Sequence, residues 1–357
     1  MIKLFYKILD TLKNFDFSLF LKLNLVVLKR NYSKYPDYVE EFEKTLANKF
    51  NFKYCLSFSS GTAAFYASVL SLNLKRKSKV LISALTFPSV IEILKKQDFD
   101  ISFINVDKNF KFDLDNITNQ KYDLLVLTHP FGFYIDIGSL NKILNEKTKI
   151  IFDSSHSQGI KIGDKDHMKF ADISFASLQG NKAISGGEGG VIFTDNESSY
   201  LQMINNHHPG HKDNVKLKVA GGINDLKLRM HPLAAILAKY DLRKFKNKNK
   251  ELTEKIKSIY NHLDNIGIEH PYNENSHIGG FHFGIPFFTK KKLLSKYIKR
   301  YNWYEDLSSL QIKSLSSENN LTFFEELRFI DLEWIKKNNI YNIKNEINKI
   351  FKDVNWF

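Results

Sequence analysis

The chain has 357 residues, 43% hydrophobic and 25% charged, which suits a large α/β domain with a smaller companion and excludes a fibrous repeat or a disordered chain. Its formal net charge of +13 comes from scattered lysines with local runs such as Lys244–Lys250 and Lys290–Lys292, read as solvated helix faces and turns. No zinc-finger spacing or aromatic-basic strand motif accompanies them, so nucleic acid is not expected as a partner, and the single Cys55 excludes an internal disulfide or a multi-thiolate metal site.

Phe5, Ile8, Leu9 and Leu12 fall at helical spacing, and Lys22 splits the next apolar run, Phe17–Leu28. Neither stretch reaches the ~20 residues of a membrane span. No signal peptide or transmembrane segment is expected, the location is expected to be cytoplasmic, and the short stripe is expected to dock on the protein or a partner. Val39, Phe42 and Leu46 mark an amphipathic helix. Then strands and helices alternate. Strands are predicted at Tyr54–Phe58, Val80–Ser83, Ile101–Val106, Leu124–Leu127, Ile150–Asp153, Ile173–Ala176 and Val191–Thr194, with helices at Ala63–Leu72, from Pro88, and at Ile137–Leu144. This rhythm predicts a mostly parallel sheet covered on both faces. Leu233–Ile256 reads as a long basic helix, followed by a strand-like run, Gly279–Phe288, and Lys-rich helices. The expected organisation is an N-terminal segment 1–35, a large domain 36–245 and a small α+β domain 246–357.

Ligands of parallel sheets sit beyond the carboxyl ends of the strands. Ser60-Gly61-Thr62, Thr86-Phe87, His129, Asp153 and Ser177 all directly follow apolar runs. Ser60-Gly61-Thr62 opens a helix, where free N–H groups and the helix dipole attract phosphate, although such residues also serve as plain caps. Asp153 suits a counter-ion for a protonated ring nitrogen or an ordinary turn. Lys182 lies five residues after Ser177 and just before Ser185-Gly186-Gly187-Glu188-Gly189-Gly190. A lysine shielded beside such a turn loses basicity and becomes a nucleophile for a carbonyl. His156 and Phe87 fit a hydrogen bond to a phenolate oxygen and a stacking ring, or plain structural roles.

Together, and in this order, these segments resemble the DegT/DnrJ/StrS family of sugar aminotransferases, which use pyridoxal 5′-phosphate (PLP). The resemblance runs from about residue 35 to about 245. It rests on Tyr38–Glu43, Ser60–Ala64, Thr86-Phe87, Phe103–Asp107, Phe152–His156, Ser177 with Lys182, Gly187–Gly190, Lys227–Met230 and Ala234-Ala235. It implies the PLP-dependent transferase fold type I, a mostly parallel seven-stranded sheet flanked by helices. It also implies PLP held as a covalent internal aldimine on Lys182, with Asp153 at the pyridine nitrogen, His156 near the 3-hydroxyl, Phe87 stacked on the ring, and Gly61, Thr62 and Ser177 on the phosphate. Glutamate or glutamine is the implied amino donor and a nucleotide-linked keto-sugar the implied acceptor, in amino-sugar and polysaccharide biosynthesis. A homodimer is implied, with Lys227 and Arg229 near the partner subunit's site. Lys227 replaces the family's usual asparagine before the Arg-Met pair. Two other readings stay open: a PLP-dependent sugar dehydratase, whose family members carry histidine in place of the lysine, and a non-catalytic binding protein with the same fold.

Overall fold

The computed structural model describes residues 16–29, 37–112, 121–140, 144–208, 211, 226–273, 275–279, 283–290, 293, 295–300 and 325–352. The stripe Phe5–Leu12 lies outside them. Helix α1 spans Phe17–Leu28 and α2 spans Asp37–Phe50. The large domain follows as β1 (Tyr54–Phe58), α3 (Gly61–Ser71), β2 (Lys79–Ser83), α4 (Pro88–Lys96), β3 (Asp100–Ile104), β4 (Leu124–Thr128), β5 (Lys149–Asp153), a two-stranded ribbon β6 (Lys161–Ile162) and β7 (Lys165–Asp166), β8 (Ile173–Ser177), β9 (Gly190–Thr194) and α5 (Glu197–His207).

Seven strands form one sheet in the order β1-β9-β8-β5-β4-β2-β3. The pairs β2–β3, β2–β4, β4–β5 and β5–β8 are parallel, whereas β9 is antiparallel to both β8 and β1. The five residues of β4 are all buried, the pattern of a central strand covered on both faces. On α2 the apolar positions Val39, Phe42 and Leu46 are fully buried, as their helical spacing predicts. The Phe193 ring of β9 meets Phe50 at 5.3 Å, and Phe50 meets Phe245 at 5.8 Å, both edge-on. Each such buried ring contributes roughly 1.5–3 kcal/mol. Cys55 lies within this core, and burial pushes its thiol well above the ordinary range.

Pro232 starts α6, which runs 34 residues to Asn265 and is about 51 Å long. Ala235, Ala238, Leu242, Phe245, Leu252, Ile256, Ile259 and Leu263 recur on its buried side, so one continuous apolar stripe carries the helix through residue 245. Beyond it, β10 (Gly284–Phe288), β11 (Ile298–Arg300) and β12 (Leu327–Asp331) form an antiparallel sheet in the order β10-β12-β11, with α7 (Leu332–Lys337) and α8 (Ile340–Lys352) beside it. Lys108, after β3, reaches Glu269 at 2.8 Å and Glu326 at 2.7 Å, and ties the two regions together.

Two expectations change. Ile137–Leu144 gives, among its described residues, only a 3₁₀ turn at Gly138–Leu140. There Asp136 accepts a hydrogen bond from the Gly138 N–H, a local turn that competes with an α-helix. Of the strand expected over Gly279–Phe288, the described residues form strand at the last five, Gly284–Phe288.

Candidate active site

The site forms where β1, β2, β4, β5 and β8 end. Ser60 caps α3: its backbone is extended and its Oγ accepts a hydrogen bond from Ala63 N at 3.1 Å. Gly61 and Thr62 follow with the first two helical N–H groups, at the positive end of the helix dipole. They are pressed against the rest of the site by glycine. A Cβ on Gly61 would stand 3.0 Å from Ser177 Cβ, and one on Gly190 only 2.2 Å from the Ser60 carbonyl oxygen. These contacts bring the start of α3 onto the end of β8 and the start of β9.

From β2, Phe87 stands at the cap of α4 with its ring 45% exposed. Thr62 and Ser89 hydroxyls lie 3.1 Å apart, and Thr128 at the end of β4 donates to Thr86 at 2.9 Å. From β5, Asp153 is buried and its Oδ1 accepts from Ser155 N at 2.9 Å. Burial raises its carboxyl above the ordinary range, while hydrogen bonds from Ser155 and the charge of Lys182 pull it back. Ser155 Oγ accepts from Ser177 N at 3.0 Å, so one hydroxyl joins the two strand ends.

Lys182 lies in the segment joining β8 to β9. Its N–H donates to the Gln179 carbonyl, Leu178 N to Gly189 O and Gly186 N to Leu178 O, each at 2.9 Å. Gly186 and Gly189 pack against the Met230 methyl, where a Cβ would come within 2.9 Å. Burial pushes the Lys182 ammonium down to about 8, with Asp153 pulling the other way. Charge on lysine and charge on aspartate are thus both disfavoured by the same dry surroundings and favoured by each other.

These groups line one cavity of about 230 Å³, bordered by Gly61, Thr62, Phe87, Asp153, His156, Ser177 and Lys182. All seven cofactor residues named from the sequence therefore converge. Lys227 and Arg229 do not border it. Lys227 is exposed, Leu228 O accepts from Ser59 N at 2.6 Å, and Arg229 makes an isolated bridge with Phe58.

The structure adds residues that the sequence reading passed over. Ser89, Thr128, Ser155, Gln179 and Glu188 also border the cavity. Thr128 could have been found, because it too ends an apolar strand. Phe283, just before β10, stacks on the His156 ring with centroids 5.0 Å apart and planes 12° apart. Its face also lies 5.8 Å from Lys182 Nζ. Nothing in the local sequence signals that a phenylalanine a hundred residues on would cover the lysine.

The model of the DegT/DnrJ/EryC1/StrS aminotransferase family matches residues 21–299. The chain belongs to this family. Among its curated relatives, 3-oxo-glucose-6-phosphate:glutamate aminotransferase of Bacillus subtilis (strain 168) is 30% identical over 187 residues, covering 51% of this chain and 42% of that protein. GDP-perosamine synthase of Escherichia coli O157:H7 is 24% identical over 173 residues, 47% and 48% of the two chains. The matched stretch thus spans about half the length of these curated relatives. The fold extends further. A crystal structure of GDP-4-keto-6-deoxymannose-3-dehydratase with a trapped PLP-glutamate geminal diamine superposes with a TM-score of 0.74 at 18% identity, covering 93% of this chain and 97% of that one. The family fold is therefore the type I fold expected from the sequence.

Proposed function

We propose that the protein is a PLP-dependent aminotransferase that moves an amino group from glutamate or glutamine to a nucleotide-linked keto-sugar in amino-sugar biosynthesis. The observation that carries this reading is Lys182, largely buried, and Asp153, buried, bordering one cavity with Gly61, Thr62, Phe87 and Ser177. A buried carboxylate with an amine opposite it, a helix start beside two hydroxyls and an aromatic ring at the rim form a donor set that fits PLP.

When bound, PLP supplies an electron sink for carbanion chemistry. The N–H groups of Gly61 and Thr62 and the hydroxyl of Ser177 would hold its phosphate. Asp153 would hold the proton on the pyridine nitrogen, Phe87 would stack on the ring, and His156 would meet the 3-hydroxyl. Lys182 Nζ, neutral in an appreciable fraction near pH 8, would be the amine that holds the cofactor and the base placed to take the proton from the donor's α-carbon. Lys227 and Arg229, which do not border this chain's own cavity, suit a role at the site of a second copy in a homodimer. Glutamate as donor is supported by the glutamate adduct trapped in the dehydratase structure. The retained amine of Lys182 favours transamination over dehydration, and over a binding protein that has no use for it.

The test is an absorbance spectrum of the PLP-loaded protein before and after L-glutamate, with borohydride trapping and peptide mapping. A visible band that bleaches with glutamate and a reduced adduct on Lys182 are expected, and Lys182→Ala should lower turnover by at least about 10³-fold. No band and no adduct would overturn the proposal. A deoxy-sugar rather than an amino-sugar product would replace it with the dehydratase reading.

A further inference from the structure

Helix α1 is apolar on both of its sides. Val26 is its buried residue, and it faces inward where α1 lies against α6. On the opposite side, Phe17, Leu21, Leu25 and Leu28 follow one another at spacings of four, four and three, and form a single stripe about 16 Å long. These side chains are strongly exposed, from 44% at Leu21 to 78% at Leu28. A helix apolar all round is one whose outer face is covered in the working protein.

The surroundings of the stripe are basic. On the neighbouring α6, Arg243, Lys244 and Lys246 are exposed, while Lys248 pairs with Asp241 and Lys250 with Glu254. Lys244 and Arg243 flank the Tyr240 ring at 4.8 and 5.9 Å. Lys22 of α1 stands 5.9 Å from the Tyr38 ring, and Lys239 pairs with Glu41. An apolar strip beside such a field is complementary to a surface with a hydrocarbon interior and an anionic rim.

We propose that the outer face of α1, with Arg243 and Lys244 of α6 beside it, docks this protein on the surface of an anionic lipid bilayer. The helix lies in the interface rather than crossing it: at 12 residues it is too short to span. Phe17, Leu21, Leu25 and Leu28 enter the acyl boundary while the lysines and arginines meet lipid phosphates. The inference is independent of the reaction proposed above.

The experiment is co-sedimentation of the full chain with vesicles of phosphatidylcholine alone and with vesicles of equal parts phosphatidylcholine and phosphatidylglycerol. Binding to the phosphatidylglycerol vesicles is expected, and it should weaken as salt rises. The double substitution Leu21→Glu and Leu25→Glu should weaken it by about tenfold or more. Its melting curve and light-scattering mass should match the parent, because both positions are exposed. Arg243→Ser with Lys244→Ser should lower binding to the anionic vesicles only. Absence of sedimentation with phosphatidylglycerol vesicles, or equal binding by the double variant, would overturn the proposal. A change in molecular mass in the double variant, with no vesicle binding by the parent, would overturn it in favour of a second copy covering the stripe.

Discussion

The large sheet and the three-stranded sheet contribute to the cavity in opposite ways. The large sheet supplies almost every lining residue, each within a few positions of a strand end, and holds them through backbone contacts that leave no room for a side chain at Gly190. The segment before the small sheet places one ring, Phe283, on His156 and 5.8 Å from Lys182 Nζ, behind the lining itself, and ion pairs at Lys108 tie the two regions. The Gly61 end is therefore built by close backbone contacts. The lysine end depends on packing between two regions. The difference locates where substitution should be least and most tolerated.

Gly190→Val should have the largest effect. Its side chain would meet the Ser60 carbonyl, and either β1 or α3 must move, at a cost of more than ~3 kcal/mol; urea unfolding would measure it, and a loss below 1 kcal/mol is not expected. Lys182→Met comes next and has a pH signature in the cofactor-free protein. Lysine titrates near ~10.4 in an unfolded chain. Here Lys182 is held at about 8, so between these values the unfolded chain binds more protons and stability rises with pH. Below that window the parent bears the whole cost of a buried ammonium, roughly 3 kcal/mol. The methionine variant should thus gain stability over the parent at pH 7 and lose most of that gain by pH 10.5, by denaturant curves at both values. Lys108→Met should have the smallest effect. Glu326 is buried but keeps Lys290 at 3.7 Å, so the loss should be about 1 kcal/mol in thermal unfolding.

The same contrast explains what the sequence revealed. Strand positions in the large domain were legible because β-branched and leucine-rich runs such as Leu124–Thr128 are bounded by turn residues, and the parallel-sheet rule then pointed to Gly61, Asp153 and Ser177. Lys182 was legible only through the order of the motifs around it, since one lysine among 52 basic residues has no local signature. Phe283 was not legible. Its role is set by a long-range packing of β10 against the loop after β5, and no periodicity encodes that. The turn at Gly138–Leu140 was misread as a helix because Ile137, Leu140 and Leu144 have helical spacing, while the glycine and the Asp136 side chain decide the backbone locally.

The antiparallel direction of β9 has a bearing on how the protein is made. Because β9 turns straight back beside β8, the lysine segment is a local closure between neighbouring strands and forms from nearby contacts. The Gly61 end does not. In the sheet β1 pairs with β9, Tyr54 opposite Thr194 and Phe58 opposite Gly190. A nascent chain must therefore emerge through Thr194 before its first strand has a neighbour in the sheet, although Ser177, which faces Gly61, emerges earlier. Both ends of the cavity thus wait for β9, whose arrival closes the lysine arm and places the earliest strand in one step.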